Sequence, residues 1–430
     1  MAITDCGGDL SRRVREFVLD GFHPHFGERT KEFPSRSVWG RLRELGTELW
    51  LDTGDIAQIR GLWTREFTAL TTNNTLLSAE VRKGAYDEFI REAWRLLEAP
   101  PLSEQERKLE MAFILNARHG LRLVELFDAY VSVELHTELS RDLARTVQYA
   151  RRYHEICPRR FIVKIPFSPE GVLATRRVSD LGIPVNHTLG FSARQNYVIA
   201  RIGRPAFVNV FLGRLNSFVA DNSLGSGAYV GERATLASQA QIAELRDRRR
   251  LPTRQIAASM RGGRQVIDLA GVDVMTMPPK AAKQFVDERV ELADLDNRTG
   301  RHYEIGLDDQ ASLNEAGLKT LWELLPREIA CLDKLETEDL PRMTGEELAA
   351  FFERHGCGDI FVRWNEQQIR TSAEEGKIPR LDNWRDELRS GRIGLDALMN
   401  LAGWNSFDAD QREMDRHVLE TAGQTAGQKA

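Results

Sequence analysis

Short apolar runs rich in β-branched residues alternate with longer amphipathic stretches along most of the chain after residue 47. The runs predict eight strands, at residues 47–53, 67–73, 127–135, 160–165, 185–191, 206–212, 253–261 and 273–277. The stretches between them have apolar residues at helical spacing, as in residues 79–97, 138–156, 169–181, 193–202 and 235–249. Eight strands that alternate with helices predict an α/β fold, a (β/α)8 TIM barrel. A doubly wound open sheet is the alternative, but no glycine-rich GxGxxG turn follows the first strand.

The pattern also predicts additions at both ends of the barrel. Residues 1–46 have weak periodicity and predict an N-terminal arm with short helices, so the barrel itself is assigned to residues 47–337. Within the barrel, residues 280–292 continue as a helix, and we expect a helix pair at 314–338 to close it. Residues 338–420 predict a helical C-terminal extension, with a capping box from Thr344 to Glu347. The small, polar residues 421–430 predict a disordered tail.

Composition limits the classes of partner. The chain has 430 residues and a mild net charge of −5, so nothing indicates a nucleic-acid or membrane-surface patch. No apolar run approaches the ~20 residues of a membrane span, and the N-terminus has no secretory signal. The four cysteines have no CxxC spacing and are expected to be reduced thiols. We therefore predict a cytoplasmic protein with no nucleic-acid or membrane partner. A homodimer is an assembly that the sequence leaves open.

Lys164 is the strongest chemical signal in the sequence. It lies among apolar, β-prone residues in the segment from Arg160 to Pro166. A lysine at the end of a buried strand is costly unless its amine is neutral or paired. A neutral amine is a nucleophile that forms a Schiff base with a ketone. The alternative is a lysine that extends from the strand end to solvent.

Functional residues of a parallel barrel lie at the carboxyl ends of its strands. These ends carry a set of mostly polar residues, namely Asp52, Asn73, Glu134, Lys164, Asn186, Thr188, Asn209, Phe211, Arg214, Ser259 and Arg261. Because strand side chains alternate with period two, Asn186 and Thr188 share a face, whereas His187 should face the helix layer. Packing alone does not explain so many polar residues on one rim.

Each of these residues also has a purely structural interpretation. Asp52 and Glu134 could pair with buried arginines or cap helices, although a Schiff-base reaction needs carboxylates that move protons. Thr188 could be an ordinary β-former or hold a catalytic water. Arg214 and Arg261 suit bidentate phosphate binding, or else a structural ion pair. No metal-ligand spacing and no nucleophile–histidine arrangement is visible, so we predict neither a metal nor a cofactor.

Taken in chain order, these strand ends resemble those of the transaldolase family. The matching stretches are Leu51-Asp-Thr-Gly-Asp55, Thr71-Thr-Asn73, Ile162-Val-Lys-Ile-Pro166, Glu170-Gly171, Val185-Asn-His-Thr-Leu-Gly-Phe-Ser192, Phe211-Leu-Gly-Arg214, Ala258-Ser-Met-Arg261 and Asp268-Leu-Ala-Gly271. The resemblance extends over roughly residues 40 to 337.

The resemblance implies a transferase that moves a dihydroxyacetone unit from a ketose phosphate to an aldose phosphate, as in the pentose phosphate pathway. The donor would be sedoheptulose 7-phosphate or fructose 6-phosphate. The implied roles are Schiff-base formation for Lys164, proton transfer for Asp52, activation of water by Glu134 and Thr188, binding of the dihydroxyacetone unit by Asn73 and Asn186, and phosphate binding by Arg214, Ser259 and Arg261. Asn209 and Phe211 are also assigned to substrate binding.

Several positions depart from the family pattern. Asn74 replaces the usual proline, Asn209 a serine, Ala257 a glycine, Met260 an aromatic residue and His136 an aspartate. The departures lie around the sugar contacts, while the acid–base residues are all present. A specialised transaldolase or aldolase that makes an unusual sugar in secondary metabolism is therefore an alternative, and a non-catalytic sugar-phosphate-binding barrel is a third.

The C-terminal extension has no counterpart in the short members of the family. It could cap the rim, mediate oligomerisation or dock a partner, and packing against the barrel flank is the default expectation.

Overall fold

A computed structural model describes residues 7–23 and 31–423, and its centre is a closed barrel of eight parallel strands. The strands are β1 Glu48–Asp52, β2 Phe67–Thr71, β3 Tyr130–Glu134, β4 Phe161–Pro166, β5 Val185–Thr188, β6 Phe207–Phe211, β7 Arg254–Ala258 and β8 Val274–Met277. They follow one another around the barrel in chain order, and β8 pairs with β1 to close it. The predicted (β/α)8 fold is confirmed, and each of the eight predicted segments coincides with one strand, although β4 extends one residue beyond its predicted segment.

Helices follow the strands and continue past the barrel. They are α1 Gly7–Leu19, α2 Ser37–Glu44, α3 Ile56–Leu62, α4 Asn74–Glu80, α5 Asp87–Glu98, α6 Glu104–Phe127, α7 Leu143–Ile156, α8 Pro169–Asp180, α9 Ala193–Gly203, α10 Leu212–Asp221, α11 Val230–Arg249, α12 Arg264–Asp268, α13 Pro279–Asp287, α14 Ser312–Glu315, α15 Pro326–Leu335, α16 Gly345–Arg354, α17 Glu366–Glu375, α18 Arg385–Arg389 and α19 Leu395–Thr421. None of the helices in the described residues is long and apolar enough to cross a membrane.

Three predicted strands extended three residues too far at one end, and the backbone shows why. The strand predicted to run to residue 191 ends at Thr188, since Leu189 has a φ of 63°. The strand predicted to run to residue 261 ends at Ala258 because Ser259 also has a φ of 63°. Such left-handed residues leave the extended conformation and turn the chain. At residue 127 the error is different, because Phe127 is the last residue of α6 and Asp128 caps that helix at a φ of 53°.

The interior of the barrel is filled by apolar side chains below the carboxyl rim. Trp50, Ile162, Ile256 and Val274 belong to this cluster, and the Trp50 ring lies edge-on to Phe207 at 4.8 Å between ring centroids. A larger core packs between the strands and the surrounding helices. Because side chains fill the barrel from below, substrate can enter only from the carboxyl rim.

The helix pair expected at residues 314–338 does not close the barrel, so that prediction is wrong. Pairing of β8 with β1 closes it, and α13 follows β8 in the place of the last barrel helix. The segment instead forms α14, a 3-10 turn at Leu318–Leu321 and α15, which pack near α9 and the C-terminal helices. The domain limits assigned from the sequence stay a prediction, and the tail is described only as far as residue 423.

A buried arginine links the barrel to the C-terminal helices. Arg194, near the start of α9, is 1 % exposed and donates to Asp396, Asp359 and Glu328 at 2.6–3.0 Å. Asp396 also accepts from Ser192 at 2.6 Å. Burial raises the pKa of Glu328, whereas the neighbouring Arg194 opposes that shift. A charge this deeply buried needs its partners, so the cluster fixes α19 against the barrel.

Two further sequence predictions are confirmed. Thr344 and Glu347 form the predicted capping box of α16, with the Glu347 carboxylate 2.8 Å from the Thr344 backbone nitrogen. His187 faces the helix layer, where its Nδ1 lies 2.8 Å from the Thr175 hydroxyl of α8. Burial lowers the pKa of His187 to about 3, so the ring is neutral near pH 7.

We predict that Arg194→Met lowers the free energy of unfolding by about 3–5 kcal/mol, because it leaves three buried carboxylates without their cation. Urea denaturation at pH 7.5 would measure the loss. Arg201→Met, on the same helix, is the matched control, since Arg201 pairs with the partly exposed Asp333 and Glu336 and should cost less. Equal losses in the two variants would contradict the special importance of the Arg194 cluster.

Candidate active site

A cavity of about 190 Å³ opens at the carboxyl rim of the barrel. Ten of the eleven residues proposed from the sequence line it, namely Asp52, Asn73, Lys164, Asn186, Thr188, Asn209, Phe211, Arg214, Ser259 and Arg261. The eleventh, Glu134, lies behind Lys164 with its carboxylate 3.1 Å from the lysine amine. The barrel therefore brings together all the residues singled out in the sequence.

The Lys164 amine is held by two contacts inside the barrel. It pairs with Glu134 and donates to the Thr72 carbonyl oxygen at 3.0 Å. Glu134 and Lys164 face each other in the register of β3 and β4, so both project inward at one level. Lys164 is 5 % exposed, which excludes the alternative of a lysine that extends to solvent. The sequence left open whether this buried amine is neutral or paired with a charge, and the structure shows that it is paired with Glu134.

The second oxygen of Glu134 accepts from the backbone nitrogen of Asn74 at 2.9 Å. A proline, which is usual at this position in the family, has no N–H to donate. The Asn74 side chain is itself held by Asn116, whose amide donates to it at 3.0 Å. The departure at Asn74 therefore supplies an extra hydrogen bond to the carboxylate that contacts the lysine.

Asp52, at the end of β1, is the second carboxylate of the cavity. Burial raises the pKa of Asp52 above its ordinary value, and the Thr71 hydroxyl, 2.7 Å away, opposes this shift. The Thr71 hydroxyl also lies 2.7 Å from the hydroxyl of Thr276 on β8. A carboxyl group with a raised pKa, open to a cavity, suits proton transfer.

The asparagine side chains of the cavity differ in how many of their hydrogen-bonding groups are free. Asn73 caps α4 through its side-chain carbonyl oxygen, which accepts from the Leu76 backbone nitrogen, and the residue also lines the cavity. Asn209 donates to Asn186 at 3.1 Å and accepts from Gly190. Both ends of the Asn209 side chain are thus occupied, so its geometry favours a role in holding Asn186 over a direct substrate contact.

Thr188 differs from these amides because its buried hydroxyl has no hydrogen-bond partner among the described residues. It is 1 % exposed and lines the cavity. A buried hydroxyl without a partner is costly. The position therefore suits a bound water or a substrate hydroxyl.

Two arginines define a cationic end of the cavity. Neither Arg214 nor Arg261 forms an ion pair with a carboxylate within residues 7–23 and 31–423, and Arg214 Nη1 is buried without a hydrogen-bond partner there. Burial lowers the pKa of Arg214 to about 10, and the charge of Arg261 adds to the shift. The structural ion pair considered from the sequence is thus absent, and the free donors suit an anion such as phosphate.

Gly213 allows the chain segments at the cationic end of the cavity to pack closely. A Cβ at this position would lie 2.2 Å from the Ser259 carbonyl oxygen and 2.7 Å from the Arg261 side chain. Any larger residue would push β7's end away from α10, on which Arg214 lies. The glycine in the Phe211–Arg214 stretch is therefore required by the close approach of Ser259 and Arg261 to Arg214's helix.

Sequence reasoning missed seven residues of the cavity wall, which are Thr71, Ile256, Ala258, Thr276, Pro278, Lys377 and Phe407. Thr71 and Thr276 lie in β2 and β8, so strand-end position alone could have identified them. Lys377, in the turn after α17, and Phe407, in α19, lie about 100 residues or more after β8. Nothing in the local sequence connects these two with the barrel rim.

A parallel (β/α)8 barrel with a buried lysine–carboxylate pair and a cationic end in one cavity at the carboxyl rim has the arrangement of an enzyme site. The family model for transaldolase and fructose-6-phosphate aldolase matches residues 49–321. The chain therefore belongs to the transaldolase/fructose-6-phosphate aldolase family. It is a transferase of the transaldolase type.

Individual relatives agree with this assignment. The chain is 27 % identical to a transaldolase of Thermosynechococcus vestitus over 354 residues, which cover 74 % of this chain and 88 % of the relative. It is 34 % identical to a probable transaldolase of Thermus thermophilus over 244 residues, 56 % of this chain and 90 % of the relative. A transaldolase of Protochlamydia amoebophila is 27 % identical over 56 % of this chain and 75 % of its own.

We predict that Asn74→Pro lowers kcat/KM about tenfold or more, because a hydrogen bond to a charged group contributes about 1.5–3 kcal/mol. Proline fits the backbone, since residue 74 is the first of α4 and Asn73 before it is extended at φ −152°. Asn74→Ala is the matched control, as it removes the side chain but keeps the N–H that Glu134 accepts. Steady-state kinetics in which both variants lose activity equally would contradict a role for this N–H.

We also predict that Thr71→Val moves the acidic limb of the kcat/KM profile to higher pH. The Thr71 hydrogen bond favours the charged carboxylate and lowers the pKa of Asp52. Its loss raises that pKa further, so the proton-accepting form appears only at higher pH. Thr276→Val, which keeps the Thr71–Asp52 contact, should leave the limb in place. A pH profile from pH 5 to 9 that is the same for all three proteins would argue against Asp52 as the titrating group.

Proposed function

We propose that this protein transfers a dihydroxyacetone unit from a ketose phosphate to an aldose phosphate through a Schiff base on Lys164. The donor would be sedoheptulose 7-phosphate or fructose 6-phosphate. The observation that carries this proposal is the position of the Lys164 amine between two carboxylates that can accept protons. Glu134 lies 3.1 Å from the amine, and Asp52 lies across the barrel in the wall of the same cavity. A Schiff-base transfer requires a nucleophilic amine and two places for protons.

In the first stage the free amine of Lys164 attacks the keto carbon of the donor and forms a carbinolamine. Glu134 lies close enough to accept a proton from the amine. The carbinolamine loses its hydroxyl as water, with a proton supplied from the Glu134 carboxyl, and an iminium ion remains. The unpartnered hydroxyl of Thr188 is a suitable site for that water.

In the second stage Asp52 accepts the proton of the hydroxyl on the carbon beyond the bond to be broken. That bond then breaks, the hydroxyl carbon becomes the aldehyde of the departing aldose phosphate, and the electron pair moves to the imine as an enamine. The enamine attacks the aldehyde of the acceptor, and Asp52 returns the proton to the new hydroxyl. Water then hydrolyses the new iminium ion, which frees the product ketose and Lys164.

The cationic end of the cavity supports phosphorylated substrates. Arg214 and Arg261 have no carboxylate partner among the described residues, and Ser259 lies on the same wall. Guanidinium groups bind phosphate bidentately. The phosphate of donor and acceptor would be held here, with the reacting carbons toward Lys164.

A specialised transaldolase that makes an unusual sugar is the second candidate. Two observations favour it, namely the contacts of Asn74 and Asn209, which differ from the usual family residues, and the presence of Lys377 and Phe407 in the cavity wall. These differences change the shape of the sugar pocket without removing Lys164, Glu134 or Asp52. A panel of ketose phosphates of different length would separate the two candidates.

The test is mass spectrometry of the intact protein after borohydride reduction with fructose 6-phosphate, beside a sample without sugar. We expect a stable three-carbon adduct on Lys164, and no adduct in Lys164→Met. A six-carbon adduct would indicate imine formation without cleavage and therefore another preferred donor. No adduct with any ketose phosphate of the panel would refute the Schiff-base proposal.

A further inference from the structure

Two residues of the cavity wall lie outside the segment that the family model matches. Lys377 follows α17, and Phe407 is within α19, whereas the match ends at residue 321. Both line the same cavity as Arg214 and Arg261. The C-terminal extension packs against the barrel flank, where α16 lies beside α8, and part of it also covers the rim, which was the alternative considered from the sequence.

The loop that carries Lys377 is fixed to the barrel. Asn222, directly after α10, donates to the Pro379 carbonyl oxygen at 3.0 Å and accepts from the Leu381 backbone nitrogen at 2.7 Å. At the other side of Lys377, Gly376 has a φ of 79°, a conformation that lets the chain leave α17 sharply. Because α10 also carries Arg214, the loop and that arginine are held by one element.

Helix α19 is fixed to the rim by its own acidic residues. Asp408 accepts from the Thr137 hydroxyl at 3.0 Å, and Asp415 lies 3.1 Å from His136 Nε2. Thr137 and His136 both belong to the turn after β3. These contacts bring Phe407 over the cavity, where it approaches Arg214.

Arg214 lies between two aromatic rings, one from each part of the chain. Its guanidinium carbon is 5.6 Å from the centre of the Phe211 ring and 5.4 Å from that of Phe407. Asp410 acts on Arg214 electrostatically but forms no ion pair with it, and it accepts instead from Thr75. The two aromatic rings therefore restrain the Arg214 side chain, and its N–H groups stay available to another group.

The cavity wall carries three cationic residues besides Lys164, namely Arg214, Arg261 and Lys377. Lys377, like Arg214 and Arg261, forms no ion pair within the described parts of the chain, and its amine has no hydrogen-bond partner there. Arg214 and Arg261 repel each other, since the charge of Arg261 contributes to the lowered pKa of Arg214. A dianionic group bound by these two arginines would remove that repulsion, and the amine of Lys377, in the wall of the same cavity, is available as a third donor.

We propose that Lys377 is a substrate-binding residue that donates to the phosphate group held by Arg214 and Arg261. The phosphate site is then built jointly by the barrel and the C-terminal extension. The proposal rests on the proposed function in so far as the phosphate belongs to a sugar phosphate. It assigns the extension a direct part in selecting substrates that carry a phosphate at the end remote from the carbonyl.

The test compares Lys377→Gln with wild type by isothermal titration calorimetry of the full chain with inorganic phosphate. We expect about tenfold weaker binding, as for the loss of one charge-assisted hydrogen bond. Lys319→Gln is the control, because Lys319 is an exposed lysine in the turn Leu318–Leu321, ahead of the extension, and does not line the cavity. Arg261→Ala is expected to weaken binding as well, since Arg261 is proposed to bind the same phosphate.

Kinetics with fructose 6-phosphate give a second readout. In Lys377→Gln we expect KM to rise about tenfold with kcat nearly unchanged, because the lost contact binds phosphate and not the reacting carbons. Trapping with unphosphorylated fructose should be the same in Lys377→Gln and wild type.

The outcomes separate this proposal from the proposed function. Phosphate binding that Lys377→Gln leaves at the wild-type value, or wild type that binds no phosphate, would overturn the role of Lys377. Phosphate binding that depends on Lys377, in a protein that traps no sugar on Lys164, would support the phosphate site and refute only the Schiff-base reaction.

Discussion

The buried charge of Arg194 is the constraint on which the arrangement of the molecule depends. A guanidinium that is 1 % exposed is tolerated only with carboxylates around it, and these come from three separate C-terminal positions, Glu328, Asp359 and Asp396. Since Arg194 belongs to a barrel helix, satisfying it requires the extension to fold back onto the barrel. Helix α19 begins at this cluster, and its direction from there brings Phe407 to the rim.

The chemistry depends on a second buried pair, Lys164 with Glu134. Parallel pairing of β3 with β4 places these two residues opposite each other, so their contact follows from strand register and not from loop conformation. The same register holds Asn186 beside Lys164 on β5. Rigid strands are better suited than loops to hold a nucleophile and a proton acceptor within hydrogen-bond distance.

The departures from the family pattern take on physical meaning in this setting. Asn74 donates a backbone N–H to Glu134 that a proline lacks, and Asn209 bridges Asn186 to Gly190. Both changes add hydrogen bonds to residues around Lys164 without removing an acid–base group. The residues that differ from the family pattern therefore hold the catalytic residues in place and are not acid–base groups themselves. Changes at such positions are compatible with a different sugar preference and an unchanged reaction type.

The sequence by itself determined the barrel and most of the cavity wall, because the period of apolar residues identifies each strand and a parallel barrel brings all strand ends to one rim. It could not locate the ends of β5 and β7, where Leu189 and Ser259 leave the extended conformation. Only the tertiary structure decided that Lys377 and Phe407 reach the site. Their position depends on long-range contacts through Arg194 and Asn222, and such contacts leave no periodic or local signal in the chain.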